Sequence, residues 1–125
     1  MKMLLGFGVA ALAGAIAGGV AVQTLHAQSK PPAWAVAEFE IIGAKAFQEF
    51  AAGNAKGVAD AGGRFISRRG ATYSMAGEPP KTIALVAWDS FDRAEAYYKS
   101  DTWKNLAQAR DKGSKFRAYL VEGTK

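Results

Sequence analysis

Three side chains in this sequence could do polar chemistry together: Glu38, Arg68 and Tyr119. On the alternation of the segments that carry them, all three project from one face of a sheet. A carboxylate, a guanidinium and a phenol converging in an apolar surround make an acid/base or anion-binding set. The competing reading is a Glu38–Arg68 ion pair across neighbouring strands that fixes an interface, because buried charges are mostly paired for satisfaction. Trp34 and Trp88 can stack on a planar aromatic ligand or serve as interface core. Arg110 lies on the apolar stripe of the last helix, placed to reach a carboxylate, a helix end or a ligand, or simply to bury its stem. The candidate ligand-binding residues are therefore Glu38, Arg68, Trp88, Tyr119 and Arg110. Arg68 and Arg69 read as one inward and one outward side chain rather than a basic patch.

What the chain lacks narrows the chemistry further. It has no cysteine and one histidine, His26, which lies in an N-terminal leader. Residues 1–27 read as a signal peptide: Lys2 is a minimal positive region, Met3 to Val22 carries no charge, and Leu25-His-Ala27 ends in a small residue before Gln28. An uncleaved membrane anchor is the alternative, since the apolar run is about long enough to span a bilayer. Either way the folded part is expected outside the cytoplasm, periplasmic or secreted, or held at the membrane by that segment alone. Without His26 the mature domain has neither imidazole nor thiol. That excludes a Ser-His or Cys-His nucleophilic pair, a His-ligated haem and ordinary zinc sites. Glu38 and Glu40 are too few for a tight metal site, and no cofactor-binding motif is present. The net charge of +5 reads as a solvated surface rather than a nucleic-acid interface.

Residues 28–33, with Pro31-Pro32, form an extended linker, and 34–123 form the domain. Trp34 to Ile41 alternates as a strand, with Ala35, Ala37, Phe39 and Ile41 on one side. Ala44 to Asp60 is helical by the stripe Phe47, Phe50, Ala51 and Val58, and ends at Gly62-Gly63. Gly53 and Gly57 each cost it about 1 kcal/mol relative to alanine, so it must lean on tertiary packing. Arg64 to Gly70 is a second strand, with Phe65 and Ser67 opposite Arg64, Ile66 and Arg68; Thr72 to Ala76 could continue it. Lys81 to Asp89 is the longest apolar run of the domain and reads as a central strand. Ser90 caps a helix with Asp92 near its positive end. A second helical stripe runs from Trp103 to Gly113, and Lys115 to Glu122 closes the domain as a strand.

The order is β-α-β-β-α-β, the α+β ferredoxin-like arrangement with a four-stranded antiparallel sheet. Two helices cover one face only. The other face is expected to carry Trp34, Val36, Ile66, Val86, Trp88, Tyr119 and Val121, too apolar to leave in water. A second copy packed sheet against sheet would bury it and enclose a small cavity.

Pro31-Pro-Ala-Trp-Ala-Val-Ala-Glu-Phe-Glu40, Gly62-Gly-Arg-Phe-Ile-Ser-Arg68, Trp88-Asp-Ser-Phe91, Ala96-Tyr-Tyr-Lys-Ser100 and Tyr119-Leu-Val-Glu-Gly123 resemble, as a set, the domain of unknown function 1330 family. The resemblance implies a homodimeric α+β barrel of ferredoxin-like subunits, related to the antibiotic-biosynthesis monooxygenase and YCII-like groups. It implies no particular reaction. Gly43-Ala44 departs from the polar cap and proline that the family tends to place before the first helix. Two functions stay open: a binder of a small organic molecule in a sheet-to-sheet cavity, with or without catalysis, or a non-catalytic module whose interface its own side chains fill.

Overall fold

The computed structural model describes residues 30–125, and the chain enters its sheet at Ala33. Strand β1 spans Ala33–Ile41, helix α1 Ala44–Ala61, β2 Arg64–Arg68 and β3 Thr82–Trp88. Helices α2 (Phe91–Tyr98), α3 (Asp101–Asn105) and α4 (Ala107–Gly113) follow before β4, Ser114–Glu122. The four strands lie in the order β2-β3-β1-β4, and all three pairings are antiparallel. This is the ferredoxin-like α+β arrangement expected from the sequence.

Helix ends follow the local chemistry. Ser90 accepts a hydrogen bond from the Arg93 amide at 3.2 Å, and Asp92 sits in the first turn of α2. Gly62 ends α1 in the left-handed conformation, φ 95°, where a Cβ would be strained. The start of α1 has no side-chain cap at Gly43. Instead the Ile42 and Gly43 amides donate to the Gly113 carbonyl, at 2.9 and 3.1 Å. A Cβ on Gly113 would lie 2.3 Å from the Phe47 nitrogen, so only glycine permits this approach of α4 to α1. The stripe from Trp103 to Gly113 breaks at Leu106 into two short helices. Thr72 to Ala76 does not prolong β2: Arg69 takes a left-handed φ of 55° and turns the chain out of the strand.

Register decides which strand faces meet the helices. Residues directly opposite in an antiparallel pair share a face. Ala33 pairs with Trp88 and Ala35 with Val86, and both alanines are buried. Val86 and Trp88 therefore lie beneath the helices, not on the open face expected from the sequence. Trp88 is 1 % exposed and stacks on Tyr97, with ring centroids 5.5 Å apart. The open face of β3 carries Ile83, Leu85 and Ala87, opposite Glu38, Val36 and Trp34. On β4, Arg117, Tyr119 and Val121 complete it.

A bulge corrects a second expectation. Phe65 pairs with Val86, but Ser67 pairs with Leu85 and Arg68 with Ala84, so Ile66 is an extra residue in the ladder. Phe65 and Ser67 consequently lie on opposite faces, and Arg68 joins the helix side.

Candidate functional site

Two packed clusters lie under the helices, and Trp103 packs against both. One is built on Val58, Val86, Trp88 and Tyr97. The other is a ladder of aromatics, with Phe39 stacked on Phe47 at 5.1 Å and Phe50 edge-on to Phe116 at 5.3 Å. Between sheet and helices lies a cavity of ≈ 510 Å³, within the roughly 300–1,000 Å³ of small-molecule sites.

The cavity has a simple cause in the sequence. Ala84, Ala37 and Ala118 stand side by side across β3, β1 and β4. At a strand spacing of about 4.8 Å, three adjacent alanines make a trough about 10 Å across. Ala35 adds to the floor, and Phe47, Phe50 and Ala51 of α1 form the roof. Larger side chains at these positions would have filled the space.

Polar groups enter at a few points. The Tyr97 hydroxyl donates to Asn54 Oδ1 at 2.8 Å, which ties α2 to α1. Asn54 lines the cavity and its amide hydrogens have no protein acceptor among the described residues. Burial raises the pKa of Tyr97 and pushes that of Tyr98 up to about 12; the Trp88 indole opposes the latter rise, and Tyr97 adds to it. Tyr98 lines the cavity and packs edge-on against Trp103 at 5.0 Å. The Trp88 indole N–H is buried without an acceptor in hydrogen-bond geometry. Arg68 and Arg69 line the edge, the Arg68 guanidinium lying 4.1 Å above the Phe65 ring.

The five candidate residues do not form one constellation. Glu38 and Tyr119 meet on the open face, where the Tyr119 hydroxyl donates to Glu38 Oε2 at 2.7 Å. The partner of Glu38 is Arg117, its direct neighbour on β4, and not Arg68. These bonds, Tyr119 first and Arg117 second, lower the pKa of Glu38, and the bond to Glu38 raises that of Tyr119. Arg68 is on the other side of the sheet, and Trp88 is core. Arg110 buries its stem, reaches Asp111 at 2.9 Å and holds its guanidinium 5.4 Å from the Trp103 ring.

One subunit by itself forms a cavity on the helix side of the sheet, which the sequence did not announce; the cavity expected between two sheets is a separate one that needs a second copy. Sequence reasoning missed Tyr98, Asn54, Arg69 and the alanine floor. One signal was present: Asn54 falls on the stripe Phe47, Phe50, Ala51 and Val58, a polar residue at an apolar spacing.

The model of the family described as Domain of unknown function (DUF1330) matches residues 32–124, and the chain belongs to that family. No curated protein matches the sequence. Among solved structures, the chain is similar to the RPA0582 protein of unknown function from Rhodopseudomonas palustris. The TM-score is 0.62 at 11% identity, over 84% of this chain and 92% of that one. It also resembles SnoaB, a cofactor-independent oxygenase from Streptomyces nogalater, with TM-score 0.55, 16% identity, and 76% and 95% covered. A dimeric ferredoxin-like protein of unknown function from Thermobifida fusca aligns at TM-score 0.50 and 13% identity, over 74% and 92%. Likeness at these identities shows a shared fold, that of ferredoxin-like, dimeric α+β barrel proteins.

Proposed function

We propose that this member of the DUF1330 family binds a small planar organic molecule between its sheet and α1. The observation that carries the reading is the alanine trough: Ala84, Ala37 and Ala118 leave open a slot that aromatic side chains wall and roof. A flat, largely apolar body suits that slot, and Asn54 and Tyr98 offer hydrogen bonds to orient it. Tyr98 can hold a proton at its hydroxyl through the physiological range. The fold is also that of a cofactor-independent oxygenase, SnoaB; binding is the part of such an activity that these residues support.

The working unit in this proposal is a homodimer joined through the open sheet face. Trp34, Val36, Ile83, Leu85, Tyr119 and Val121 lie there, with Tyr119 and Val121 46% and 48% exposed. The Thermobifida fusca neighbour is described as dimeric, which supports a dimer as such. Export is proposed from residues 1–27, which lie outside the described residues; among the described residues no helix is long and apolar enough to cross a membrane. N-terminal sequencing of the expressed full chain should find Gln28 first, and Met1 retained in a membrane fraction would replace export by anchoring.

The binding proposal is tested by native mass spectrometry of protein purified from its own host. An organic molecule carried at one per subunit is the expected result. A dimer that arrives empty, and that takes up no neutral aromatic probe, would leave the non-catalytic module as the better reading.

A further inference from the structure

The lining of the cavity contains two arginines, Arg68 and Arg69, and no aspartate or glutamate. Neither arginine belongs to an ion pair among the described residues. A regular strand sends consecutive side chains to opposite faces, so an Arg-Arg pair would normally be divided between them. Two irregularities prevent this here. The bulge at Ile66 sets Arg68 opposite Ala84, in line with the trough. Arg69 then adopts φ 55°, a conformation uncommon for a residue with a Cβ, while its amide donates to the Ile83 carbonyl at 2.9 Å. That hydrogen bond holds the turn, and both residues line one cavity edge. The Arg68 guanidinium carbon lies 4.1 Å over the ring of Phe65, also a lining residue, and its N–H groups stay outside any ion pair among the described residues.

We infer that the cavity takes a small organic anion, an aromatic carboxylate or a comparable acid, with its ring in the alanine trough and its acidic group at Arg68 and Arg69. This rests on the reading that the cavity binds a small organic molecule, and adds the charge of that molecule. Tyr98 fits the assignment: with its pKa pushed up by burial to about 12 it is a neutral phenol at pH 7, a donor toward an anion rather than a competing negative charge. Asn54 contributes amide donors of the same sense.

Two fluorescent probes separate the charge from the cavity. 8-Anilinonaphthalene-1-sulfonate and N-phenyl-1-naphthylamine share a ring system and differ by one sulfonate. Arg68→Gln and Arg69→Gln, with folding checked by circular dichroism, should each weaken the anionic probe roughly tenfold, as loss of a charge-assisted hydrogen bond implies. The neutral probe should change by less than about twofold, in keeping with a contact that is apolar. Ala118→Leu, which fills the trough, should abolish both signals; Ala84→Leu serves if that variant does not fold. If both probes respond alike to the arginine substitutions, or only the neutral one binds the wild type, the anion assignment is overturned and the binding reading stands. If neither binds, or if both persist undiminished in the folded filled variant, the cavity is not their site and both readings fall.

Discussion

The Tyr119 hydroxyl donates to Glu38 Oε2 at 2.7 Å across β1 and β4, while Arg117 holds the other carboxylate oxygen. These three groups make the open sheet face sensitive to pH at both ends. Hydrogen bonds from Tyr119 and Arg117 hold Glu38 below its ordinary value of 4.5, so its contribution to stability is complete above that value and is lost as pH falls through the lowered one. Tyr119 is raised above 10.0, so its contribution is present below that value and is lost as pH rises through the raised one. Comparing urea midpoints of wild type and Glu38→Gln across pH should give a difference that is steady near neutrality and shrinks at both extremes. A difference that stayed constant down to pH 3 would mean that the carboxylate gains nothing from its partners.

Trp88 should be essential to the subunit and irrelevant to its surface. It is 1 % exposed, stacked on Tyr97 and edge-on to Tyr98 at 5.7 Å. Trp88→Ala should cost about 3–5 kcal/mol in denaturant unfolding, the usual loss for a large buried aromatic. A loss below about 1 kcal/mol would contradict this placement, since that is the range of surface substitutions.

Val36→Glu should behave in the opposite way. Val36 stands on the open face between Leu85 and Tyr119. A carboxylate there meets water in a monomer but would be desolvated between two sheets. Sedimentation should show a folded monomer with an unchanged circular dichroism spectrum. A fully dimeric Val36→Glu protein would move the interface elsewhere.

How much of this was legible in the sequence depends on what each residue could announce. β1 and β4 alternate clearly, and Ser90, Gly62 and the stripe of α1 mark their helices by side-chain chemistry. In β3 both alternating sets are apolar, Ile83, Leu85 and Ala87 against Ala84, Val86 and Trp88, so periodicity has no preferred phase. Only the pairing with β1 tells them apart. The bulge at Ile66 and the left-handed Arg69 are backbone events at residue types that carry no turn signal; the bulge turns Arg68 to the face opposite Glu38, and the strand order sets β3 between them. Arg117, the true partner of Glu38, could have been found by taking the β1–β4 register as antiparallel and counting.

Gly57 offers a test in which local propensity and packing oppose each other. Inside α1, glycine to alanine should gain about 1 kcal/mol from helix propensity alone. Here the added Cβ would lie 2.5 Å from the Tyr97 hydroxyl oxygen and 3.0 Å from Thr102 Cγ2. Tyr97 cannot easily yield, because it stacks on Trp88 and its hydroxyl holds Asn54. Gly57→Ala should therefore destabilise the protein, by about 1–3 kcal/mol as overpacking does. At Gly53 the nearest atom is Leu106 Cδ2, also at 2.5 Å but at the end of a side chain that can change rotamer, so Gly53→Ala should lose less. Removing the obstructing hydroxyl provides the control. Tyr97→Phe should be destabilising in the wild type, where it breaks the bond to Asn54, and less destabilising or even favourable beside Gly57→Ala. Urea unfolding of the four proteins of this cycle measures the coupling. If Tyr97→Phe costs the same in both backgrounds, the glycine is not there to make room for the tyrosine.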